Sequence, residues 1–279
     1  MVLMTVWRSG STARRGIAGA RLVVSLTLVG TLSGALAAGC GGSNPQAVMP
    51  AAGTVDPDKF LFDRGVAAVE KKHYIEAREY FKRVVDSYPQ SPYRADAKLG
   101  LADAFLAEKH VDADIVAISQ YREFLQFYPT SPRADYAQYQ ICVAQSRQIL
   151  NAERDQSSTA EAIKQTEHFL ESYPNSKWRP DVLKLDRAAK DRLSDHEFVV
   201  GIYYFRIKNY AGAIDRFTYL LSHDPAYTKQ DTVFYYLAEA FVMNKMDGAA
   251  LPLYEKIVSD YPQSKFVEPA KKRIGELKR

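Results

Sequence analysis

The chain has 279 residues, with 37 Lys and Arg against 33 Asp and Glu, and is 47% hydrophobic, 12% aromatic and 25% charged. This composition excludes a disordered chain, a collagen-like one and a multi-span membrane protein, and the length suits one large or two small domains. The four surplus positive charges belong to the first 39 residues, which hold Arg8, Arg14, Arg15 and Arg21 and no acid, so residues 40–279 balance at 33 of each sign and nucleic acid is excluded as an expected partner.

Residues 1–39 read as a signal peptide. Basic residues up to Arg21 precede an apolar run from Leu22 to Leu36 that is too short to span a bilayer. The string Leu36-Ala37-Ala38-Gly39-Cys40 resembles a lipobox, which makes Cys40 the expected site of acylation and the membrane anchor; ordinary cleavage after Ala37 stays open as an alternative. Residues 40–57, with three Gly after Cys40 and three Pro but one charge, Asp56, read as a flexible tether. Cys142, the only other cysteine, lies in an apolar-periodic stretch and reads as a small core residue, so no disulfide framework is expected.

From residue 58 on, one pattern recurs. Phe81–Ser91, Tyr121–Ser131, Thr166–Ser176 and Tyr254–Ser264 each run from a bulky or β-branched residue to Tyr-Pro-x-Ser, and Phe217–Ala226 keeps the proline but replaces Tyr by Asp224. Upstream of each proline lie helical stripes with small and aromatic residues at fixed offsets: Gly65, Ala77 and Phe81; Gly201, Ala213 and Phe217; Ala238, Ala250 and Tyr254. Small residues let two antiparallel helices approach, and the aromatic fills the space between them. The proline ends the second helix, and the serine after it, followed by Pro92 or Pro132 in two copies, is expected to cap the next helix. Trp178–Asn209 is too long for one helix of a repeat and reads as a bridging helix into repeat four; Lys265–Lys278 reads as a terminal cap. Repeat four, lacking the tyrosine, is expected to turn differently at its junction.

These residues look like tetratricopeptide repeats. The expected fold is an all-α superhelix of about five helix-turn-helix repeats with a C-terminal capping helix, divided into repeats 1–3 over residues 58–190 and repeats 4–5 with the cap over 191–279.

No catalytic constellation is found. His73, His110, His168, His196 and His223 are scattered, and no zinc motif, phosphate loop or nucleophile elbow occurs. Asp112 and Asp114 lack the glycine and glutamate of a calcium loop and read as surface loop residues; His196-Glu197 reads as a helix face. Neither an enzyme nor a cofactor or metal is expected. A solenoid instead offers an inner groove, lined by the first helices, for extended peptides.

The lipobox, the tether and three further strings narrow the resemblance: Arg154-Asp155-Gln156 with Ala160–Ser176, Asp195-His196-Glu197-Phe198 through Tyr204, and Asn209-Tyr210 through Phe217. Together they resemble the BamD family of outer-membrane assembly lipoproteins. The resemblance implies a non-catalytic scaffold at the periplasmic face of the outer membrane. Its implied partners are the POTRA domains of a barrel-forming subunit, unfolded outer-membrane proteins, and the membrane through the lipid. By position Arg216 matches a family arginine of the docking contact, although pairing with a neighbouring acid is the competing role. Phe62, Tyr93 and Arg94 at the first repeat junction are the candidates for substrate binding. A repeat protein coordinating cell-wall synthesis or division is the alternative; such proteins carry an N-terminal coiled coil, and residues 41–57 hold no heptads.

Overall fold

Each of the five repeat prolines stands just after the second helix of a hairpin. The computed structural model describes residues 56–279; the expected signal peptide, Cys40 and the expected tether as far as residue 55 lie outside the described residues. Among the described residues there are eleven helices and no strand: α1 (Pro57–Glu70), α2 (Tyr74–Ser87), α3 (Arg94–Leu106), α4 (Val111–Phe127), α5 (Ala134–Ser146), α6 (Ser157–Ser172), α7 (Arg179–Arg206), α8 (Tyr210–His223), α9 (Gln230–Met243), α10 (Asp247–Asp260) and α11 (Val267–Leu277). Each packs chiefly on its neighbours in the chain, giving five hairpins and a cap, the tetratricopeptide architecture.

The stop signal works as the sequence suggests. The residue before each proline leaves the helical region: Tyr88 has φ −127° and ψ 69°, and Tyr128, Tyr173 and Tyr261 are close to it. Asp224 in repeat four has φ −128° and ψ 76°, so that junction does not turn differently. The proline sets the backbone there, and the residue type before it does not.

The serine, however, is not the helix cap. Two more residues pass before α3, α5, α7 and α11 begin, and Pro92 and Pro132 fall in the intervening turn. Ser91, Ser131, Ser176 and Ser264 each accept the N–H two residues on into Oγ and the N–H three residues on into their carbonyl. This serine-led turn closes locally before the helix starts. The true side-chain caps are His110 on α4 and Asn209 on α8, each accepting an N–H three residues ahead.

The small-residue positions are used for close approach. A Cβ on Gly65 would lie 2.6 Å from the Phe81 ring, and one on Gly100 would lie 2.7 Å from the same ring on its other side. Gly201 sits under Phe217 in the same way. Phe81, Tyr121, Phe124, Phe169, Phe217 and Tyr254 are fully buried, one or two per repeat, with Ala77, Ala117, Ala162, Ala213 and Ala250 beside them at 0% exposure. Each ring therefore fills a gap that alanine or glycine opens.

Four turns between first and second helices place a lysine in the left-handed region: Lys72, Lys109, Lys208 and Lys245, with φ between 58° and 62°. Each costs about 1 kcal/mol relative to glycine there. The third turn, from Arg147 to Gln156, is longer and avoids this conformation.

The 28-residue α7, about 42 Å long, bridges the repeats as its length suggests. Its first half packs on α6 and its second half on α8, and residue 190 falls inside it. Two loops are bolted to its middle. His196 Nδ1 donates to the Ala152 carbonyl at 2.6 Å, fixing the α5–α6 loop. Arg187 pairs with Asp224, Ser194 donates to Asp224, and Thr228 donates twice to Asp191, fixing the α8–α9 turn.

The cap α11 is held by Arg273, which makes a two-pronged pair with Glu239 of α9 while Tyr254 donates to the same carboxylate. Lys271, Lys272 and Lys278 at this end pair at the surface with Glu268, Glu276 and Glu255.

Candidate functional site

The repeats have two unlike faces. First helices meet across repeats, α1 with α3, α5 with α7 and α7 with α9, whereas no two second helices approach as closely. The first helices thus form the tight inner layer, and clefts open outward between the second helices.

Arg216 occupies one such surface. It projects from α8 into a shallow cleft of about 390 Å³ with Tyr204, Asn209, Gly212, Asp215 and Tyr219. Its side chain is 45% exposed and meets Glu197 through a single 3.4 Å contact. The neighbouring acid foreseen as a competing partner is therefore present, but a long one-pronged contact leaves most of the five donors free. Tyr219, which lines the same cleft, is 44% exposed, so the arginine stands beside an uncovered aromatic ring. The sequence did not say which acid would meet Arg216 or that Tyr219 would share its cleft, because that depends on how α7 and α8 pack.

The three residues at the first repeat junction separate. Phe62 stacks on Tyr93 with ring centres 5.3 Å apart, and it also touches Phe81 at 5.9 Å, so both aromatics are half-buried in the repeat-one core. Arg94 goes elsewhere: its Nε donates to the Val85 carbonyl at 3.1 Å and its Nη1 to the Tyr128 hydroxyl at 3.4 Å. It lines a cleft of about 470 Å³ walled by α2 and α4 and floored by α3, with Lys82, Lys98, Leu101, Phe105, Val116 and Phe127 among its neighbours.

Lys98 in that cleft is only 5% exposed, pairs with Glu123 at 2.8 Å and holds its ammonium 5.4 Å from the Phe127 ring. Arg78 lies 4.3 Å over Phe105 and pairs with Glu108.

The remaining ionisable groups serve packing. Asp114 is not in a loop: it lies in the first turn of α4, is 2% exposed and pairs with Arg147 at 3.1 Å. Apolar spacing alone hid it, since its counter-charge comes from 33 residues away. Asp103 accepts the hydroxyls of Tyr121 and Tyr136; burial raises its carboxyl above the usual range, and the two hydroxyls oppose this in part. Burial would raise Glu239 too, but Arg273 and Tyr254 more than offset it and hold the carboxyl low. Cys142 is buried beside Phe169 and Val182, and burial pushes its thiol up to about 12. Among the described residues no cluster of His, Cys, Asp and Glu could hold a metal ion, and no helix is long and apolar enough to cross a membrane.

Comparison with known proteins adds the following. Residues 55–250 match the model of the YfiO family, described as outer membrane lipoprotein. A Caulobacter vibrioides protein named outer membrane protein assembly factor BamD is 25% identical over 221 residues, covering 78% of this chain and 70% of its own. The Rickettsia prowazekii protein of the same name is 27% identical over 215 residues, covering 76% of this chain and 83% of its own. Among solved structures, a tetratricopeptide domain of yeast Sti1 in complex with an Hsp90 peptide is similar at 13% identity and a TM-score of 0.44, covering 79% of this chain and 82% of that one.

Proposed function

The chain belongs to the YfiO/BamD family of outer membrane lipoproteins, and from that premise we propose that it is a non-catalytic scaffold of the outer-membrane protein assembly machinery. In this reading Cys40 carries the lipid, residues 40–57 tether the solenoid, and the solenoid works at the periplasmic face of the outer membrane. The C-terminal repeats dock on the POTRA domains of the barrel-forming subunit, and the N-terminal repeats receive unfolded outer-membrane proteins.

One observation carries the docking part: the exposed, weakly held Arg216 between Tyr204 and Tyr219. An arginine with free donors beside an uncovered aromatic ring suits a partner carboxylate surrounded by apolar surface, the usual composition of a hot spot. For the substrate part, the Phe62 and Tyr93 rings are spent largely on each other, and Arg94 is the candidate that lines a cleft with three of its five donors unengaged.

The test is affinity isolation of the acylated protein from gently solubilised membranes, with Cys40→Ala and Arg216→Glu variants alongside. Recovery of a POTRA-bearing barrel protein, lost in Arg216→Glu, is the expected result. Recovery of only cell-wall or division proteins would overturn the reading.

A further inference from the structure

We propose that the outward cleft between α2 and α4 binds an extended internal peptide segment carrying one acidic side chain about three residues from an apolar one. The proposal deepens the substrate part of the reading above and rests on it only for the identity of the natural occupant.

The acid is called for by Arg94. Its guanidinium is oriented by the Val85 carbonyl and the Tyr128 hydroxyl, and among the described residues it has no carboxylate partner. Arginine has five donors, of which two are engaged here, so the rest face the cleft ready to grip a carboxylate. Arg78 and Lys98, by contrast, are spent on Glu108 and Glu123. Lys82 on the α2 rim is likewise without an ion pair among the described residues, and it adds a second positive charge near the opening.

The apolar side chain is called for by what lies further along the floor. Leu101 of α3 and Val116 of α4, 37% exposed, line the cleft there, with the Phe105 ring under Arg78; Phe127, 58% exposed, stands instead at the Arg94 end, its ring 5.4 Å from the Lys98 ammonium and next in the chain to Tyr128. From Arg94 to Leu101 is seven residues of helix, about 10 Å, which an extended chain covers in about three residues. That separation argues for an internal acid, because the carboxylate of a chain end lies next to its own last side chain.

The cleft is open by construction. The corresponding gap between α4 and α6 is tied by Arg122 to Glu161, and by Gln165, which links Glu161 to Gln138 of α5. Among the described residues no hydrogen bond or ion pair crosses the middle of the α2–α4 gap; it is closed only at its ends, by Arg94 between the Val85 carbonyl and the Tyr128 hydroxyl and by Arg78 on Glu108. The exposed Glu79 and Asp86 on the α2 rim limit the occupant: a single acid reaches Arg94, while a run of acids is repelled.

The experiment is fluorescence anisotropy with the acylated protein in detergent and a fluorescein-labelled, C-terminally amidated heptapeptide holding one Asp and a Phe three residues after it. Saturable binding is expected, weakened about tenfold or more by Asp→Asn in the peptide, by Arg94→Ala, and by adding three further acids to the peptide. Val116→Ala should weaken it as well, and Lys164→Ala, on the exposed surface of α6, should leave it unchanged. The peptide substitution leaves the protein intact, so a folding defect in Arg94→Ala cannot imitate the result. The proposal is overturned by absence of saturable binding, by equal binding of the Asn peptide, or by tighter binding of a peptide without Asp that ends in a free aromatic residue. Isolation of a barrel protein alongside a failed titration would sink the cleft alone; the converse would sink the scaffold reading and leave the cleft.

Discussion

Gly65→Ala gives a sharp test of the repeat packing, because two known effects oppose each other there. In an open helix interior, alanine in place of glycine stabilises by about 1 kcal/mol. At Gly65 the added Cβ would stand 2.6 Å from Phe81, whose ring is also confined on its other side by Gly100 and is 2% exposed. The ring has nowhere to retreat, so overpacking costs about 1–3 kcal/mol and outweighs the propensity gain, leaving a net loss of about 1 kcal/mol. Gly275 in α11 has nothing within 4 Å of its ideal Cβ, so Gly275→Ala should gain up to about 1 kcal/mol. Urea unfolding followed by circular dichroism reads both, and hydrogen exchange by peptide locates the effect, since stability in a repeat array is distributed among neighbours. In a Phe81→Leu background the smaller side chain frees the space, and Gly65→Ala should turn neutral or stabilising, a coupling of about 1–2 kcal/mol. If Gly65→Ala stabilised the native background as much as Gly275→Ala does, the close approach of α1 and α2 would be wrong.

Two further outcomes follow from buried groups. Glu239 has its folded pKa held below the ordinary 4.5 by Arg273 and Tyr254, so it contributes stability that is present above that value and lost as pH falls through the folded pKa. Glu239→Gln should flatten the acid side of the stability–pH curve of the C-terminal repeats, measured by urea midpoints from pH 7 to pH 3; an unchanged slope would refute the latch on α11. Cys142, with its thiol pushed up to about 12 and no exposure, should resist iodoacetamide at pH 8 in a Cys40→Ala background and react readily in urea. Rapid native alkylation, read by mass spectrometry, would show that the α5–α6–α7 interface is open.

The linear order of residues determined the repeat number, the helix type and the stops. Those features are local: proline acts on its own neighbours, and the Gly65, Ala77 and Phe81 spacing follows from the turn of one helix and the hairpin that joins it to the next. The bridging role of α7 was legible from length, since Trp178–Asn209 is too long for one helix of a repeat, and the helix found there has 28 residues. The serine was misjudged because capping and turn formation use the same side chain and the same N–H groups, and Ser91 could serve either until the start of α3 was known.

What only the tertiary structure decided is where long-range partners land. Asp114 became an interior residue because Arg147 arrives from the next repeat, and Asp224 replaces a tyrosine without cost because Arg187 and Ser194 of α7 meet it. Phe62, Tyr93 and Arg94 are near neighbours at one junction, yet the first two turn to the repeat-one core and the third to an outward cleft. Sequence spacing gives the side of a helix a residue is on. Whether that side meets a partner, a core or a cleft is set by the packing of helices that are distant in the chain.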